Sequence, residues 1–473
     1  MVFSSSLFLL YFFPFFLIIY FISPYKLRNL VIVSASILFY SWGGTKYLFI
    51  IFFSILLDFF LAKIIHKSQG RKRKLWLAIA ISINLGFLLY FKYANFFLDN
   101  LNNGLTFFGM DAINFMRVAL PIGISFFTFH EMSYIIDVYR DEKPPMKSIV
   151  DYSLYILFFP QLIAGPIIRF NEITDQITDR RTNETIDNKL VGFYRFIIGL
   201  SKKVLIANVL GVEADRIFAM DIVDINTATA WIGITAYAFQ IYFDFSGYSD
   251  MAIGIARMLG FVFPENFNNP YISQSITEFW RRWHITLSRW MRDYLYIPLG
   301  GNKVSVNRLY FNLWVVFLLS GLWHGASWNF VAWGTYHGLF LIADRLFLLN
   351  FLNRIGKIPA IIITFIITLV GWAFFRIEDI STTFVFIGKM FSFNFEHNLL
   401  YFDAKFKFII LLAFFFSFVR AFKIGEWMEK TFFAHKYSLS GYYSMTLLNI
   451  VLFFVSVAYV ASSGFNPFIY FRF

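Results

Sequence analysis

The chain has 473 residues, of which 58% are hydrophobic and only 15% charged, and its 66 phenylalanines help bring the aromatic share to 22%. Ordinary soluble domains carry about 25% charged residues, and this much apolar surface exceeds what a soluble core can hide. The net charge of +12 is spread over short segments between apolar runs, which argues against a nucleic-acid partner, and the absence of cysteine excludes disulfides and a cysteine nucleophile.

Uncharged runs that could enter a bilayer recur along the whole chain. A span needs about 20 mainly apolar residues. The clean runs are Leu7–Ser23, Leu75–Phe91, Ile225–Phe243, Leu309–Ala343, Ile358–Phe375 and Tyr437–Phe471, and further candidates lie near 29–42, 47–62, 118–136, 150–167, 190–210 and 408–422. The runs are continuously apolar, which excludes a β-barrel. We predict an all-α polytopic membrane protein with about eleven to thirteen embedded helices, some re-entrant or interfacial, in one domain over residues 1–473.

The first segments also predict the topology. The N-terminus lacks the basic residues that begin a signal peptide, so we expect Leu7–Ser23 to be a retained first span. The loop over residues 63–74 carries several Lys and Arg residues and no acidic one. The positive-inside rule places it in the cytoplasm together with the loop of Lys26 and Arg28, which puts the N-terminus outside.

Two polar features follow in the middle of the chain. Asn171–Asn188 is predicted to be a surface loop between two embedded halves. Farther on, Asp244 and Asp250 interrupt apolar sequence around Gly247. A span broken at this point could hold a proton or a cation, or the carboxylates could cap a helix at a structural hinge. Asp58, alone in an earlier span, allows the same two interpretations.

The stretch Asn266–Asn302 differs from its neighbours. Its apolar side chains fall at helical spacing, and a second stripe beside them is polar: the first contains Trp280, Trp283, Leu287, Trp290 and Tyr294, and the second Arg281, His284, Ser288 and Arg292. The arginines make a simple span improbable on energetic grounds, so we predict a tryptophan-lined helix that lies at the interface or dips into the bundle. Ser275 is suited to its N-terminal turn, and Pro298, Gly300 and Gly301 would end it.

His324 is the first candidate for chemistry, because the run Leu309–Ala343 around it contains no Asp, Glu, Lys or Arg. An ionisable side chain in such a run is expensive to embed and marks a function by default, although a neutral core histidine bonded to a neighbouring helix fits the sequence too. Flanking Gly321 and Gly325 would allow a close approach of helices or substrate. For His337 and His130 the structural interpretation is favoured.

His284 is the second candidate. Guanidinium groups beside it would keep it neutral, which suits a base or a hydrogen-bond acceptor, whereas the alternative is an interfacial polar residue. The same arginines could bind phosphate through their planar forks or anchor lipid headgroups. Phosphate-loop, dinucleotide-binding, H-E-x-x-H and G-x-S-x-G motifs are absent from the sequence, so it gives no support to ATP hydrolysis, redox chemistry or serine hydrolysis.

Several long segments resemble one family, the bacterial branch of the membrane-bound O-acyltransferases, and within it the alginate O-acetyltransferase type. More distant is the similarity to teichoic acid D-alanyl transferases. The main matching segments are Tyr242–Gly254, Asn269–His284, Arg292–Asn302 and Gly321–Gly325, supported by Met1–Ser5, Phe91–Phe96, Leu120–Ser125, Ser133–Arg140 and Leu162–Pro166. Long matches in a fixed order are far more specific than a single short motif.

The resemblance implies an acyltransferase fold in a bacterial cytoplasmic membrane and a reaction that crosses it. A cytoplasmic thioester, usually acetyl-CoA, would donate a short acyl group to a cell-surface or secreted polysaccharide, directly or through a periplasmic transferase partner. His324 matches the catalytic histidine of the family and His284 the second histidine of its core. Arg281 and Arg282, with Arg292 as a further candidate, would meet the donor's phosphates. No bound cofactor or metal is implied.

The C-terminal sequence Gly464–Phe473 is aromatic and contains the phenol of Tyr470. An aromatic tail of this kind is typical of interfacial anchoring. The resemblance adds a second interpretation, in which Tyr470 carries the acyl group between His324 and the acceptor. A different class of function also remains open at this point: a transporter or flippase for a polysaccharide or lipid-linked precursor, coupled through Asp58, Asp244 and Asp250.

Overall fold

The computed structural model describes residues 1–396, 400–434 and 436–463. Regular structure in these ranges is helical throughout and contains no β-strand. This agrees with the internal satisfaction of backbone hydrogen bonds that a lipid environment demands. The predicted all-α class is confirmed.

The backbone divides into two compact units, which we describe separately. The first comprises Met1–Val2 and Leu7–Glu184. Its helices are α1 (Phe13–Ile22), α2 (Arg28–Gly44), α3 (Leu48–Lys67), α4 (Gly70–Leu88), α5 (Ala94–Phe107), α6 (Ile124–Tyr139), α7 (Ile149–Leu157), α8 (Phe159–Leu162) and α9 (Phe170–Thr178). The segment that we predicted to be a loop, Asn171–Asn188, contains most of α9, so that prediction was wrong. Helix α9 is amphipathic: its apolar residues Phe170, Ile173 and Ile177 are buried, and their burial stabilises a helix there.

Several buried polar side chains in the first unit have hydrogen-bond partners. The carboxylate of Asp58 accepts a hydrogen bond of 2.9 Å from Asn84, and Glu131 accepts one of 2.6 Å from Ser54. His130 accepts from the backbone N–H of Ile168 at 3.3 Å. These contacts give Asp58 and His130 structural partners.

The second unit comprises Phe3–Ser6 and the described residues from Thr185 onward. Its helices are α10 (Ile186–Ser201), α11 (Asn208–Phe218), α12 (Thr227–Met258), α13 (Ile276–Arg282), α14 (Ile285–Met291), α15 (Val306–His324), α16 (Trp328–Ala343), α17 (Leu349–Ile355), α18 (Lys357–Arg376), α19 (Ile380–Phe391), α20 (Ala404–Phe418), α21 (Lys423–Phe432) and α22 (Leu439–Ser462). Short π-helical segments, whose backbone hydrogen bonds join residues five apart, continue some of these helices, notably Lys202–Ala207 after α10 and Arg292–Tyr296 after α14.

Helix α12 runs unbroken for 32 residues, so the predicted interruption around Gly247 was wrong. Gly247 serves helix packing instead. A Cβ on Gly199 of α10 would lie 2.5 Å from the carbonyl oxygen of Gly247, and one on Gly192 would lie 2.7 Å from that of Gly254. Two pairs of glycines therefore bring the backbones of α10 and α12 into direct contact, which is how small residues stabilise helix pairs in membranes.

Four helical stretches in the described chain are long and apolar enough to cross a membrane, and a fifth is added if a bent pair counts as one span. They are Tyr25–Lys67, Gly70–Phe107, Lys357–Arg376 and Leu439–Ser462, with Ala404–Ala421 and Lys423–Phe432 as the pair bent by 101°. Phe8–Ile22 and Ile380–Phe391 are shorter apolar helices. The protein is thus an all-α polytopic membrane protein, whereas the count of about eleven to thirteen embedded helices stays a prediction.

The single helix predicted across Trp280–Tyr294 is in fact two helices. Helix α13 ends at Arg282, and α14 begins at Ile285 after His284 adopts a left-handed backbone with φ 43° and ψ 53°. The five residues of the apolar stripe are nevertheless all buried. Ser275 caps α13, as predicted, by accepting a hydrogen bond of 3.1 Å from the N–H of Glu278.

Candidate functional site

His324 is the last residue of α15, where the chain turns back into α16. The turn is tight because glycines face backbone on the opposite helix. A Cβ on Gly321 would lie 2.2 Å from the carbonyl oxygen of Phe330, and one on Gly334 would lie 2.4 Å from that of Phe317. The glycines beside His324 therefore permit close helix packing, as the sequence suggested.

The imidazole of His324 lies in an aromatic environment. Its ring centroid is 4.9 Å from that of Trp323, 5.1 Å from that of Trp333 and 5.1 Å from that of Phe375. The side chain is only 6% exposed. Such surroundings exclude bulk water from the ring and strengthen any polar interaction that a substrate makes with it.

His284 lies at the break between α13 and α14. Its Nδ1 is 3.1 Å from the side-chain oxygen of Asn266, and its ring meets Phe245 edge-on at a centroid distance of 4.7 Å. The ring also approaches Trp323 at 6.2 Å. The fold therefore brings the two predicted histidines, which are far apart in sequence, to the same tryptophan.

The cause of the neutral state predicted for His284 needs correction. The helix break at His284 interrupts the continuous helical spacing on which the predicted stripe with Arg281 and Arg292 depends. His284 lies between α13 and α14, and neither helix is a candidate membrane span. Burial in the protein lowers the pKa of its imidazole to about 3. Desolvation, rather than a neighbouring guanidinium group, therefore keeps this imidazole neutral.

His337 belongs to the same aromatic core but has a packing role. Its ring lies 5.0 Å from Trp280 and 5.0 Å from Trp333. A Cβ on Gly371 would come within 2.7 Å of its Nε2, which shows how closely α18 covers it. This favours the structural interpretation that the sequence suggested.

A large cavity of about 1130 Å³ lies inside the second unit. Basic residues outnumber acidic ones along its wall. The basic residues are Arg195, Lys202, Arg257, Arg281, Arg289, Arg420 and Lys430, and the acidic ones are Asp250, Glu265, Glu426 and Glu429. Asn266, which contacts His284, and Ile285, the next residue after His284 in sequence, also line it. The cavity thus offers positive charge to an anionic ligand next to the residue that holds His284.

The three predicted donor-binding arginines have different positions. Arg281 lines the cavity and is exposed. Arg282 pairs with Glu278 at 2.8 Å, and Arg292 pairs with its neighbour Asp293 at 2.6 Å. Neither of these two lines the cavity. Arg195 and Lys202 do line it but escaped prediction, because they belong to a segment that resembled a plain span.

The two carboxylates of α12 are neutralised within the fold. Asp244 pairs with Lys203 at 2.8 Å, and both side chains are nearly inaccessible. Asp250 pairs with Arg195 at 2.8 Å and with Lys202 at 2.6 Å. Buried carboxylates with dedicated cationic partners are typical of structural ion pairs, which weakens the coupling role that a transporter would require.

Two further features considered from the sequence are the phenol of Tyr470 and a metal site. Tyr470 lies outside the described residues. Within the ranges that the structure describes, no group of three or more His, Asp or Glu side chains is arranged to hold a metal ion.

Comparison with known proteins agrees with this architecture. The model of the membrane-bound O-acyltransferase family, MBOAT, matches residues 123–378. The chain is 45% identical to the probable alginate O-acetylase AlgI of Pseudomonas aeruginosa over 396 residues, covering 83% of this chain and 75% of the relative.

Two other relatives extend the comparison. The peptidoglycan O-acetyltransferase of Helicobacter pylori is 37% identical over 430 residues, covering 83% of this chain and 80% of the relative. The teichoic acid D-alanyltransferase of Bacillus subtilis is 30% identical over 279 residues, covering 54% and 68%. The region that the family model matches, residues 123–378, includes His284 and His324. The chain belongs to the membrane-bound O-acyltransferase family.

Proposed function

We propose that this acyltransferase moves an acetyl group from a cytoplasmic thioester, acetyl-CoA in the simplest case, to a hydroxyl group of a polysaccharide outside the cell. The observation that carries the proposal is the convergence of His324 and His284 on Trp323, in a unit that also contains the basic cavity. Relatives named for alginate and peptidoglycan acetylation support a polysaccharide as the acceptor class.

The chemistry requires a base and a dry site. A neutral His324 accepts the proton of the acceptor hydroxyl while the oxygen attacks the thioester carbonyl carbon. The tetrahedral intermediate collapses as the C–S bond breaks, and the imidazolium returns its proton to the departing thiolate, which leaves as the thiol. General-base catalysis of this kind contributes about 10²–10⁴-fold in rate. A thioester is already activated, so the mechanism has no step that needs a metal.

His284 is proposed as the second histidine of the site. Its burial keeps it neutral, which makes it a hydrogen-bond partner rather than a charge. It lies beside the cavity wall formed by Asn266 and Ile285. From this position it can contact the thioester end of a donor whose remainder occupies the cavity.

The donor's phosphates are proposed to meet Arg281. Its guanidinium is exposed on the cavity wall, and its planar fork matches phosphate oxygens in bidentate fashion. Arg282 and Arg292 remain candidates with weaker support, because each already has a carboxylate partner.

The acceptor side is proposed to involve a relay. The hydroxyl of Tyr470 would be the one that attacks the thioester, which gives an acetyl-tyrosine ester and the free thiol. A hydroxyl of the polymer or of a periplasmic transferase would then attack this ester, take the acetyl group and release the tyrosine with its proton restored. The basic segment over residues 63–74, which the structure shows as the end of α3 and the start of α4 rather than as the predicted loop, supports an N-terminus on the outer side of a bacterial cytoplasmic membrane.

Thioester turnover by the purified protein tests the proposal. Protein in lipid nanodiscs is supplied with acetyl-CoA and a soluble polysaccharide acceptor, and release of the CoA thiol is followed. We expect His324→Gln to lower the rate by at least about 10²-fold, while His66→Gln, a change at an exposed histidine of α3, leaves it unchanged. Equal rates for wild type and His324→Gln would refute the assigned base. Absence of turnover in the wild type, with acceptor and partner supplied, would refute the donor.

A further inference from the structure

Asn266 forms a network of hydrogen bonds around His284 that no motif in the sequence indicated. Its side-chain oxygen lies 3.1 Å from Nδ1 of His284, 2.9 Å from the hydroxyl of Thr286 and 3.3 Å from the backbone N–H of Thr286. Its side-chain nitrogen donates to the hydroxyl of Ser249 on α12 at 3.1 Å. Asn266 is fully buried. The amide is therefore held at both ends.

These contacts fix which end of the amide faces the histidine. The backbone N–H of Thr286 can only donate, so the Asn266 atom that it meets must be the oxygen. The same oxygen faces Nδ1 of His284, and an amide oxygen can only accept. The hydrogen of the neutral imidazole therefore resides on Nδ1, and the lone pair resides on Nε2.

The Nε2 atom of His284 is buried, and no described residue forms a hydrogen bond with it. Buried polar atoms are nearly always satisfied, so an unused acceptor in a candidate active site points to a ligand that donates to it. The left-handed backbone of His284, rare for a residue with a side chain, holds the ring in this orientation. The backbone carbonyl of Asn266 secures the turn by accepting from the N–H of Ile285 at 2.9 Å.

We propose that Asn266 is a positioning residue, which holds His284 in the tautomer that presents the lone pair of Nε2 to the reacting groups. This inference rests on the proposed function for its catalytic consequence, although the tautomer itself follows from the geometry around Asn266. A residue that orients a histidine through a hydrogen bond to its far nitrogen typically contributes about 10- to 100-fold to activity.

Two substitutions of Asn266 separate positioning from simple packing. Asn266→Ala removes the acceptor and leaves both tautomers accessible, so we expect a kcat about 10- to 100-fold lower with little change in KM. Asn266→Asp retains an acceptor for Nδ1 and Thr286, and the Ser249 hydroxyl can rotate to donate to it. We expect this variant to keep a kcat within a few-fold of the wild type. Its new carboxylate favours the imidazolium, so the acidic limb of its pH–rate profile should move to higher pH.

The comparison of Asn266→Ala with Asn266→Asp decides whether Asn266 positions His284 or only fills space. If Asn266 only filled space, a buried aspartate would be at least as harmful as alanine, and equal loss in the two variants would overturn the proposal. Asn449→Ala is the matched control, because Asn449 is a buried asparagine of α22 whose amide donates within its own helix to Met445. It should leave both kcat and the pH profile unchanged.

Nitrogen-15 solid-state NMR of histidine-labelled protein in lipid gives a readout independent of turnover. The signals of His284 are identified by their loss in His284→Gln. We expect a protonated Nδ1 and an unprotonated Nε2 in the wild type, and a mixture of tautomers in Asn266→Ala. A protonated Nε2 in the wild type would overturn the inference even if the enzyme were active. The expected tautomer without acetyl-CoA turnover would refute the proposed donor while leaving the positioning of His284 intact.

Discussion

The rings of Trp323 and His284 lie 6.2 Å apart between centroids, so a residue of α15 contacts the break between α13 and α14. Because Trp323 directly precedes His324, this single contact links the two histidines through one side chain. A site assembled from two separate helical segments in this way depends on their packing as much as on the histidines themselves.

The first prediction concerns whether the two histidines act together. His324→Ala and His284→Ala should each lower the rate of thiol release by about 10²–10⁴-fold. The double variant should be no slower than the slower single variant, because groups that act in one step give non-additive losses. Initial rates in nanodiscs measure this. Losses that multiply in the double variant would mean that the two histidines serve independent steps.

The second prediction concerns the donor. Arg281→Ala should raise the KM for acetyl-CoA by about 10-fold with kcat unchanged, because one charge-assisted hydrogen bond contributes about 1.5 kcal/mol. Arg354→Ala is the matched control, since Arg354 is an exposed arginine of α17 that does not line the cavity. Steady-state kinetics with varied acetyl-CoA separate the two. Equal KM values for both variants and the wild type would remove Arg281 from the donor site.

The third prediction concerns the buried ion pair between Lys203 and Asp244. Lys203→Met leaves the carboxylate buried without its cation and should lower the free energy of unfolding by about 3–5 kcal/mol. The double variant Lys203→Met/Asp244→Asn removes both charges and should recover most of that loss. Tryptophan fluorescence during denaturation reports on both variants. A double variant that regains stability but no longer turns over acetyl-CoA would contradict a purely structural pair and revive a role for Asp244 in function.

The fourth prediction concerns the relay. Tyr470→Phe removes the one hydroxyl of the tail Gly464–Phe473 and should abolish transfer to the extracellular polymer while acetyl-CoA still binds. Acetyl content of the surface polysaccharide measures transfer, and binding of acetyl-CoA is measured on purified protein. Tyr443→Phe, a change at an exposed tyrosine of α22, serves as the control. Unchanged acetylation in Tyr470→Phe would leave the tail with an anchoring role.

Much of the fold could be predicted from apolar patterning, but the geometry of His284 could not. The run that contains His324 is helical on both sides of a short turn and its glycines pack closely, as the sequence predicted, because both features depend on local sequence. The stripe from Trp280 to Tyr294 is equally regular, yet it continues across a helix break. Periodicity indicates which side chains are buried, but it does not indicate whether the helix is continuous. All five residues of this stripe are buried although the helix breaks between them. At the break, the backbone N–H of Ile285 bonds to the carbonyl of Asn266 and that of Asn268 to the carbonyl of Arg282, and periodicity carries no information about such long-range contacts.

The polar half of the site was harder to predict for a related reason. Asp244 and Asp250 stand out in an apolar segment, but their cations Lys203, Lys202 and Arg195 come from another segment, and sequence gives no register between two helices. Asn266 carried no signal, because a single asparagine before a proline-containing turn is common on surfaces. Its burial results from tertiary packing alone.

The contacts between α10 and α12 have a consequence for how the protein moves. The glycine pairs allow backbone contact at only one axial register, and the consecutive residues Lys202 and Lys203 bind two different carboxylates of α12 at that same register. Sliding one helix along the other would separate both ion pairs and force Cα atoms against carbonyl oxygens. Helices α10 and α12 should therefore keep their relative position during turnover, while rearrangements that admit substrates occur in other elements. A cysteine cross-link between α10 and α12, in a chain that has no cysteine of its own, should leave the turnover rate unchanged.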